Sequence, residues 1–308
     1  MNILSESHRR SVREDYVTSD RLMALCDHIF WEDAFGGRAP DAGYRGGDVV
    51  FCKIDRVWEC LGKLVRSPRR VILMTGQGDY PVDDSRTADA PAQVAAWYGT
   101  NATSQDPRVH AMPLGLGSQD CSVTVRAAEI AEKLGEQVPR TGLLYVNFRP
   151  ETNPAVRGPV FARFAAMRHE PWLTFNPPAG RGDNAAYLDA LVRHTFALCP
   201  PGFGVDTHRM WEALYAGTIP VVLRSRAMSA FANLPILFVD DFAEVTRERL
   251  HREEERIRAA SWRTDAMFLP YWRERIRAAK SELAARPNLP PLRWLSAFAR
   301  AARRRIRK

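Results

Sequence analysis

The sequence predicts an α/β protein of two Rossmann-like, parallel-sheet domains facing a cleft, followed by C-terminal helices. Two observations carry this. Short apolar runs alternate with helically spaced segments along the chain, and the alternation pauses once, at Val138-Pro139-Arg140, before it restarts. Strands that alternate with helices imply parallel pairing through right-handed crossovers. The pause then divides the chain into an N-terminal domain at 1–140 and a second domain at 141–245, with helices and a basic tail at 246–308.

Up to about residue 45 the pattern is irregular, with Gly36-Gly37 and Gly46-Gly47 as turn signals. Val49 to Cys52 and Val71 to Thr75 read as buried parallel strands, and Val57 to Val65 between them has helical spacing. Gln93 to Tyr98 reads as a further helix and Arg108 to Pro113 as a short strand. After a helix at Ala127 to Gly135, the pattern restarts with a strand at Leu143 to Val146. It continues with a helix from Pro159 to Met167, a strand at Trp172 to Phe175 and a helix at Asn184 to Arg193. Then come a strand at Thr195 to Cys199, a helix at Thr207 to Ala216, and strands at Ile219 to Leu223 and Ile236 to Val239. Beyond Asp240 the helices are laced with both signs of charge, as in Arg252-Glu253-Glu254-Glu255-Arg256, the pattern of a solvated helix face.

Composition narrows the classes. Of 308 residues, 45% are hydrophobic and 26% charged, as in a globular protein. No run of about 18 apolar residues suggests a membrane span, and the polar start from Met1 to Asp20 has no signal-peptide core. The expected location is the cytosol. Five cysteines (Cys26, Cys52, Cys60, Cys121 and Cys199) have no C-x-x-C pairing, so free thiols are expected rather than a disulfide framework or a zinc site. The net charge of +8 belongs to the tail: seven of the 44 basic residues lie between Leu292 and Lys308, with no acid among them, and the other 37 nearly balance 36 acids. That argues against a specific nucleic-acid partner, which needs a basic face on the folded body. The tail itself has Leu292, Leu295, Phe298, Ala302 and Ile306 near one face and arginines around the remainder. Two readings stay open: a basic amphipathic helix lying on an anionic membrane surface, or a helix docked on the body with an Arg-rich end.

Chemistry is concentrated at the strand ending in Cys199. Pro200-Pro201-Gly202-Phe203-Gly204 is a glycine-rich turn from a strand into a helix. Such a turn lets backbone approach a phosphate, and the helix N-terminus offers unpaired N–H groups and a partial positive charge. Asp206 or Thr207 is the natural N-cap. Within the helix, Met210, Ala213 and Leu214 form a core stripe, with Arg209 and Glu212 on a neighbouring face. Arg209 is suited to a diphosphate through its planar fork, and Glu212, one turn deeper, to two ribose hydroxyls. The plain alternative is a surface ion pair between the two; the preceding glycines and the following Gly217-Thr218-Ile219-Pro220-Val221-Val222 favour the ligand reading. His208 is either a further phosphate contact or a structural histidine.

The run from Tyr187 to Val222, with Leu234-Pro235 and Val239 to Phe242 after it, resembles the exostosin-like glycosyltransferases. A looser likeness covers Tyr145 to Asn153 and Arg157. The resemblance implies a GT-B architecture with the nucleotide-sugar donor held mainly by the C-terminal domain. It implies transfer of the sugar to an acceptor hydroxyl, on a glycan, polysaccharide or lipid-linked acceptor. By position, Gly202, Gly204, Arg209 and Glu212 match the donor motif, and Asn147 and Arg149 fall where an opposing phosphate-binding loop would lie. Family members usually carry a membrane anchor and a longer chain, so the acceptor is the least defined part.

No two aspartates are separated by a single residue, so no metal-binding Asp-x-Asp is expected and no cofactor. Arg209, Arg149 and helix dipoles would neutralise the leaving diphosphate instead. An inverting transfer needs a general base. Asp79, after Gly76-Gln77-Gly78, is the first candidate and Asp55 the second, each with turn-shaping as its alternative. Trp97 and Asn101 are candidates to line an acceptor groove. Two other functions compete: a fucosyl-type transferase using a GDP-sugar, and a non-catalytic protein that binds through its basic tail.

Overall fold

The computed structural model describes residues 15–31, 43–118, 125–136, 138–178 and 184–289. These form two compact units, one comprising Arg21–Met112 with Tyr271–Lys308, the other Met1–Asp20 with Pro113–Pro270. Each contains a five-stranded, wholly parallel sheet flanked by helices, so the two-domain α/β class expected from the alternation is what the chain forms.

The first unit holds β1 (His28–Phe30), β2 (Val49–Lys53), β3 (Val71–Gly76), β4 (Val94–Gly99) and β5 (Val109–Ala111), in the spatial order β1-β2-β3-β4-β5. All six residues of β3 are buried, as a central strand covered on both faces requires. Helix α1 (Val57–Leu64) buries Val57, Cys60, Leu61 and Leu64, the one-sided stripe its spacing implies. β4 replaces the helix expected at Gln93 to Tyr98. Six residues are too few for a stable helix, whereas as a strand they bond both neighbours and bury Trp97 and Tyr98. Trp97 is 1% exposed and its Nε1 donates to Thr75 Oγ1 at 2.9 Å, so it is a core residue and lines no groove. Asn101 is likewise buried, in a left-handed conformation (φ 53°). The irregular start contains more structure than expected: a helical turn at Ser19–Met23, and β1, which pairs with β2.

The second unit holds β6 (Gly142–Val146), β7 (Leu173–Phe175), β8 (His194–Leu198), β9 (Ile219–Leu223) and β10 (Leu237–Val239), in the order β10-β9-β8-β6-β7. Its helices are α2 (Ala127–Gly135), α3 (Pro154–Ala166), α4 (Asn184–Arg193), α5 (His208–Tyr215) and α6 (Arg247–Ala259). α3 starts five residues before the expected Pro159. Asn153 caps it, accepting from the Val156 amide at 3.4 Å, and Pro154 rather than Pro159 occupies its first turn. α6 buries only Leu250 and Ile257 and carries ion pairs such as Arg258–Glu254 at 2.8 Å, which fits its solvated reading. The last described helix, α7 (Leu269–Ala284), joins the first unit from Tyr271 onward; Lys280 Nζ bonds Asp27 there at 2.6 Å. The described residues between 113 and 140 group with the second unit.

The second sheet reverses direction. From β6 the chain places β7 on one side and β8 on the other, so β6 and β8 are neighbours with crossovers leaving oppositely. Their carboxyl ends flank a topological switch point, where open α/β sheets hold ligands. The first sheet, with its strands in chain order, has no such point. Among the described residues no helix is long and apolar enough to cross a membrane. The basic helix expected from Leu292 and Cys121 lie outside the described residues.

α5 ends in a Schellman motif. Gly217 adopts φ 70°, its amide donates to Leu214 O at 3.0 Å, and the Thr218 amide donates to Ala213 O at 2.8 Å. Gly115 shares the same φ, but a Cβ there would lie 2.4 Å from Val17 O. Gly217→Ala is therefore expected to lower stability by about 1–2 kcal/mol, and Gly115→Ala by roughly twice that because backbone must also move. Urea unfolding of both variants, with equal losses, would contradict this packing.

Candidate functional site

The residues that follow β6 and β8 meet at the switch point. β8 ends at Leu198 and leads into Cys199-Pro200-Pro201-Gly202, while β6 ends at Val146 and leads into Asn147-Phe148-Arg149. α3 ties the two loops together. The Arg157 guanidinium is 7% exposed and donates to Pro200 O at 2.9 Å, Pro201 O at 3.0 Å and Arg149 O at 3.1 Å, and also to Thr152 Oγ1. Asn153 Nδ2 donates to Gly202 O at 2.8 Å. A Cβ at Gly202 would approach Arg157 Nη2 to 3.2 Å and press on the anchoring guanidinium. The carbonyls of the loop are thus turned towards α3. Its amides are not used: those of Gly202, Phe203, Gly204 and Val205 make no hydrogen bond to any described residue. These four consecutive N–H groups precede the α5 N-cap Thr207 and are available to an acceptor.

Positive charge predominates around the loop, with the buried Glu212 carboxylate acting on Arg209 from within the protein. Burial, then the charges of Arg209 and Arg149 among its neighbours, pushes the Arg157 guanidinium down to about 10. Among the described residues none of Arg149, Arg157 and Arg209 has a carboxylate within ion-pair distance. Arg209 is the best placed to meet a ligand. Its Nη2 donates to Asn147 Oδ1 at 3.2 Å, its guanidinium lies 5.5 Å from the ring centre of Tyr187, and its buried Nε–H has no partner. Such an orphan donor on a charged group calls for an acceptor that the described protein atoms do not supply.

The other expected residues divide into those at the loop and those holding it. Asn147 is buried; it donates to Asn176 O at 2.7 Å and accepts from Arg209, so it orients that arginine. Glu212 is 5% exposed and accepts from the Tyr187 hydroxyl at 2.8 Å and the Val125 amide at 3.4 Å. No Arg209–Glu212 ion pair forms, so the surface-pair alternative falls, but the Glu212 carboxylate is engaged inside the protein. Thr207 is the N-cap by backbone conformation, with no side-chain cap bond. Asp206 is a buried strut: its oxygens accept from the Leu114 amide at 2.8 Å and Trp211 Nε1 at 2.7 Å. His208 donates from Nδ1 to Gly115 O at 2.8 Å, fixing its tautomer and tying α5 to residues 114–116. Gly204 is buried and Arg149 exposed.

Asp55 and Asp79 lie in the first unit, both exposed, on the turns after β2 and β3. Those turns touch, since a Cβ on Gly78 would lie 3.0 Å from Asp55 Oδ2. Lys53 pairs with Asp55 at 3.7 Å. Among the described residues no group of three or more His, Cys, Asp or Glu side chains forms a metal cluster. Cys26, Cys52, Cys60 and Cys199 are free thiols, as expected, and burial pushes the Cys199 thiol up to about 12.

Arg157, Asn153 and Tyr187 were not singled out as site residues in the sequence. Asn153-Pro154 is a helix-start signal that was legible and would have moved Asn153 to the loop's border. Arg157 and Tyr187 fall in the segments that carry the resemblance, but their roles are not legible there, because their partners are 43 and 25 residues away.

The fold and this loop define an α/β protein with an arginine-lined loop at the switch point of its second sheet. No protein-family model matches the chain, and no curated protein does. Among solved structures the chain is similar to one described as a GtfA/B complex, at 15% identity and a TM-score of 0.34, over 78% of this chain and 57% of that one. It is also similar to the UDP-GlcNAc 2-epimerase of Methanocaldococcus jannaschii, at 12% identity and a TM-score of 0.38, over 92% of this chain and 85% of that one. The chain thus spans little more than half the length of the first.

Two measurements check the scaffold. Arg157→Met leaves three loop carbonyls without their charged donor and is expected to cost about 3 kcal/mol in urea unfolding. Burial raises the Asp206 carboxyl to about 7, against the bonds it accepts. Unfolding returns it to near 4, so between those values the folded chain binds more protons and stability falls as pH rises. The stability of the protein relative to Asp206→Asn should therefore decline by up to about 1.4 kcal/mol per pH unit between ~pH 4 and ~pH 7. A difference independent of pH would refute the raised value.

Proposed function

We propose that the loop Pro200 to Val205 and Arg209 bind the diphosphate of a nucleotide sugar, and that the chain is a glycosyltransferase. The observation that carries this is the loop itself: its carbonyls are tied back to Asn153 and Arg157, its amides are unpaired, and three arginines without carboxylate partners surround it. Arg157 is spent on the loop carbonyls, which leaves the amides, Arg209 and Arg149 to meet the oxygens of a diphosphate.

In the transfer, the acceptor oxygen attacks the anomeric carbon as the bond from that carbon to the diphosphate breaks. The diphosphate leaves with the bonding pair and one additional negative charge. Unpaired amides and the Arg209 fork, held in place by Asn147 and Tyr187, stabilise that charge without reorganising at the moment it forms. Arg149, exposed beside the loop, adds charge at the entrance. Glu212 supports the site by holding the Tyr187 hydroxyl beneath Arg209, and a ribose contact would use the lone pairs these two bonds leave open.

The acceptor proton goes to a carboxylate, with Asp79 proposed first and Asp55 second. In finer terms the enzyme is proposed to be exostosin-like and of GT-B type, acting on a glycan, polysaccharide or lipid-linked acceptor. Residues 292–308 are proposed to rest on an anionic membrane at the cytosolic face.

Calorimetric titration with UDP, GDP and their sugar conjugates tests the site. Arg209→Ala should weaken the preferred nucleotide by about tenfold to a hundredfold, equivalent to ~1.4–2.8 kcal/mol. Equal affinity in the wild-type protein and the variant would remove the site. A preference for GDP would turn the reading towards the fucosyl type. Asp79→Asn should lower turnover while leaving nucleotide affinity unchanged, and Asp55→Asn has that role if Asp79→Asn is silent. Removing residues 292–308 should abolish sedimentation with phosphatidylserine vesicles at low salt and spare nucleotide binding.

A further inference from the structure

Phe203 has a feature that phosphate binding alone does not use. It is 74% exposed, and the only other large hydrophobic residue that is exposed among those described is Tyr80, at 54%. Tyr80 has company, since the Arg86 guanidinium lies 5.4 Å from its ring centre. Phe203 has no ring or guanidinium stacked on it among the described residues.

An exposed phenyl ring on a loose loop would need no explanation, but this loop is anchored. The residues on either side, Gly202 and Gly204, are both buried, and the carbonyls of Pro200, Pro201 and Gly202 are held by Arg157 and Asn153. The phenyl ring is therefore presented between a stretch held through its carbonyls up to Gly202 and the buried, hydrogen-bonded Asp206, among amides that are themselves unpaired. Water is in contact with a large apolar surface at the place where an anion would sit. A group attached to that anion would lie within reach of the ring, whereas a free phosphate has no apolar face to set against it.

Building on the donor-site reading, we infer that Phe203 is a specificity-determining residue, whose ring packs on the apolar face of a ring joined to the bound diphosphate. Two rings of a nucleotide sugar qualify: the planar base and the pyranose, whose C–H face packs on aromatic rings. Both are recognised by the same chemistry, burial of a flat apolar face on a fixed phenyl ring. The arginines and amides then supply affinity for the diphosphate, and Phe203 discriminates among what it carries.

The test compares wild-type protein with Phe203→Ala, Phe203→Trp and Arg209→Ala, using inorganic pyrophosphate, UDP, GDP, UDP-glucose and GDP-mannose in calorimetric titrations. Phe203 is exposed, so Phe203→Ala should unfold at the wild-type urea midpoint. The expected result is unchanged pyrophosphate binding and about a tenfold or greater loss for ring-bearing ligands, regained in Phe203→Trp. If the loss already appears with UDP or GDP, the covered ring is the base; if only with the sugar conjugates, it is the pyranose. Equal losses for pyrophosphate and its conjugates, or no loss for any ligand, would overturn the inference. In that case the donor reading is judged separately: it stands if Arg209→Ala weakens the same ligands, and falls if the wild-type protein binds none of them.

Discussion

The guanidinium of Arg157 is the contact on which the binding edge of the second unit depends. It is planar, charged and buried, and it takes its acceptors from two loops that follow different strands. Backbone carbonyls that would otherwise compete for the open side of the loop are drawn to the α3 side, where a charged donor satisfies them. Asn153 does the same for Gly202 from the cap of the same helix. A lysine, with one compact charge and no fork, does not span this set of acceptors. The unpaired amides on the other side of the loop follow from this single anchorage.

That arrangement leaves a surplus of positive charge. Arg149 and Arg209 stand near Arg157, and their repulsion together with burial lowers its pKa. Like charges are held together only where the rest of the structure enforces it. Here the enforcement comes from α5 and its neighbours. Asp206 and His208 bind residues 114–115, and the Tyr215 hydroxyl accepts from the Val17 amide and donates to Met267 O. Both ends of the helix are thus tied to segments distant in sequence. Arg209 and Phe203 can be presented at fixed positions because the helix that contains Arg209 and follows Phe203 cannot shift on its own.

The loop after β8 was legible because glycine and proline act locally: a strand, a glycine-rich turn and a helix start can be read within fifteen residues, Pro200 to Leu214. The same holds for most strands, whose continuous apolar runs are buried on both faces. β4 was misread because Val94-Ala95-Ala96-Trp97-Tyr98 has neither alternation nor length, and only pairing with β3 and β5 decides its state. Local pattern placed Asp206 as a cap candidate and Glu212 as a ribose contact, and only the tertiary structure shows that each also accepts from a backbone amide about ninety residues earlier, at Leu114 and Val125.

By itself, the sequence determined the α/β class, the two sets of strands, the loop where chemistry is concentrated and the arginine that faces it. These depend on periodicity and turn chemistry, which act over a few residues. Only the tertiary structure decided that the second sheet reverses between β7 and β8, that Arg157 and Asn153 set the direction of the loop, and that Phe203 is left uncovered. Those outcomes depend on strand order and on hydrogen bonds between residues more than forty positions apart, for which a chain read in order carries no signal.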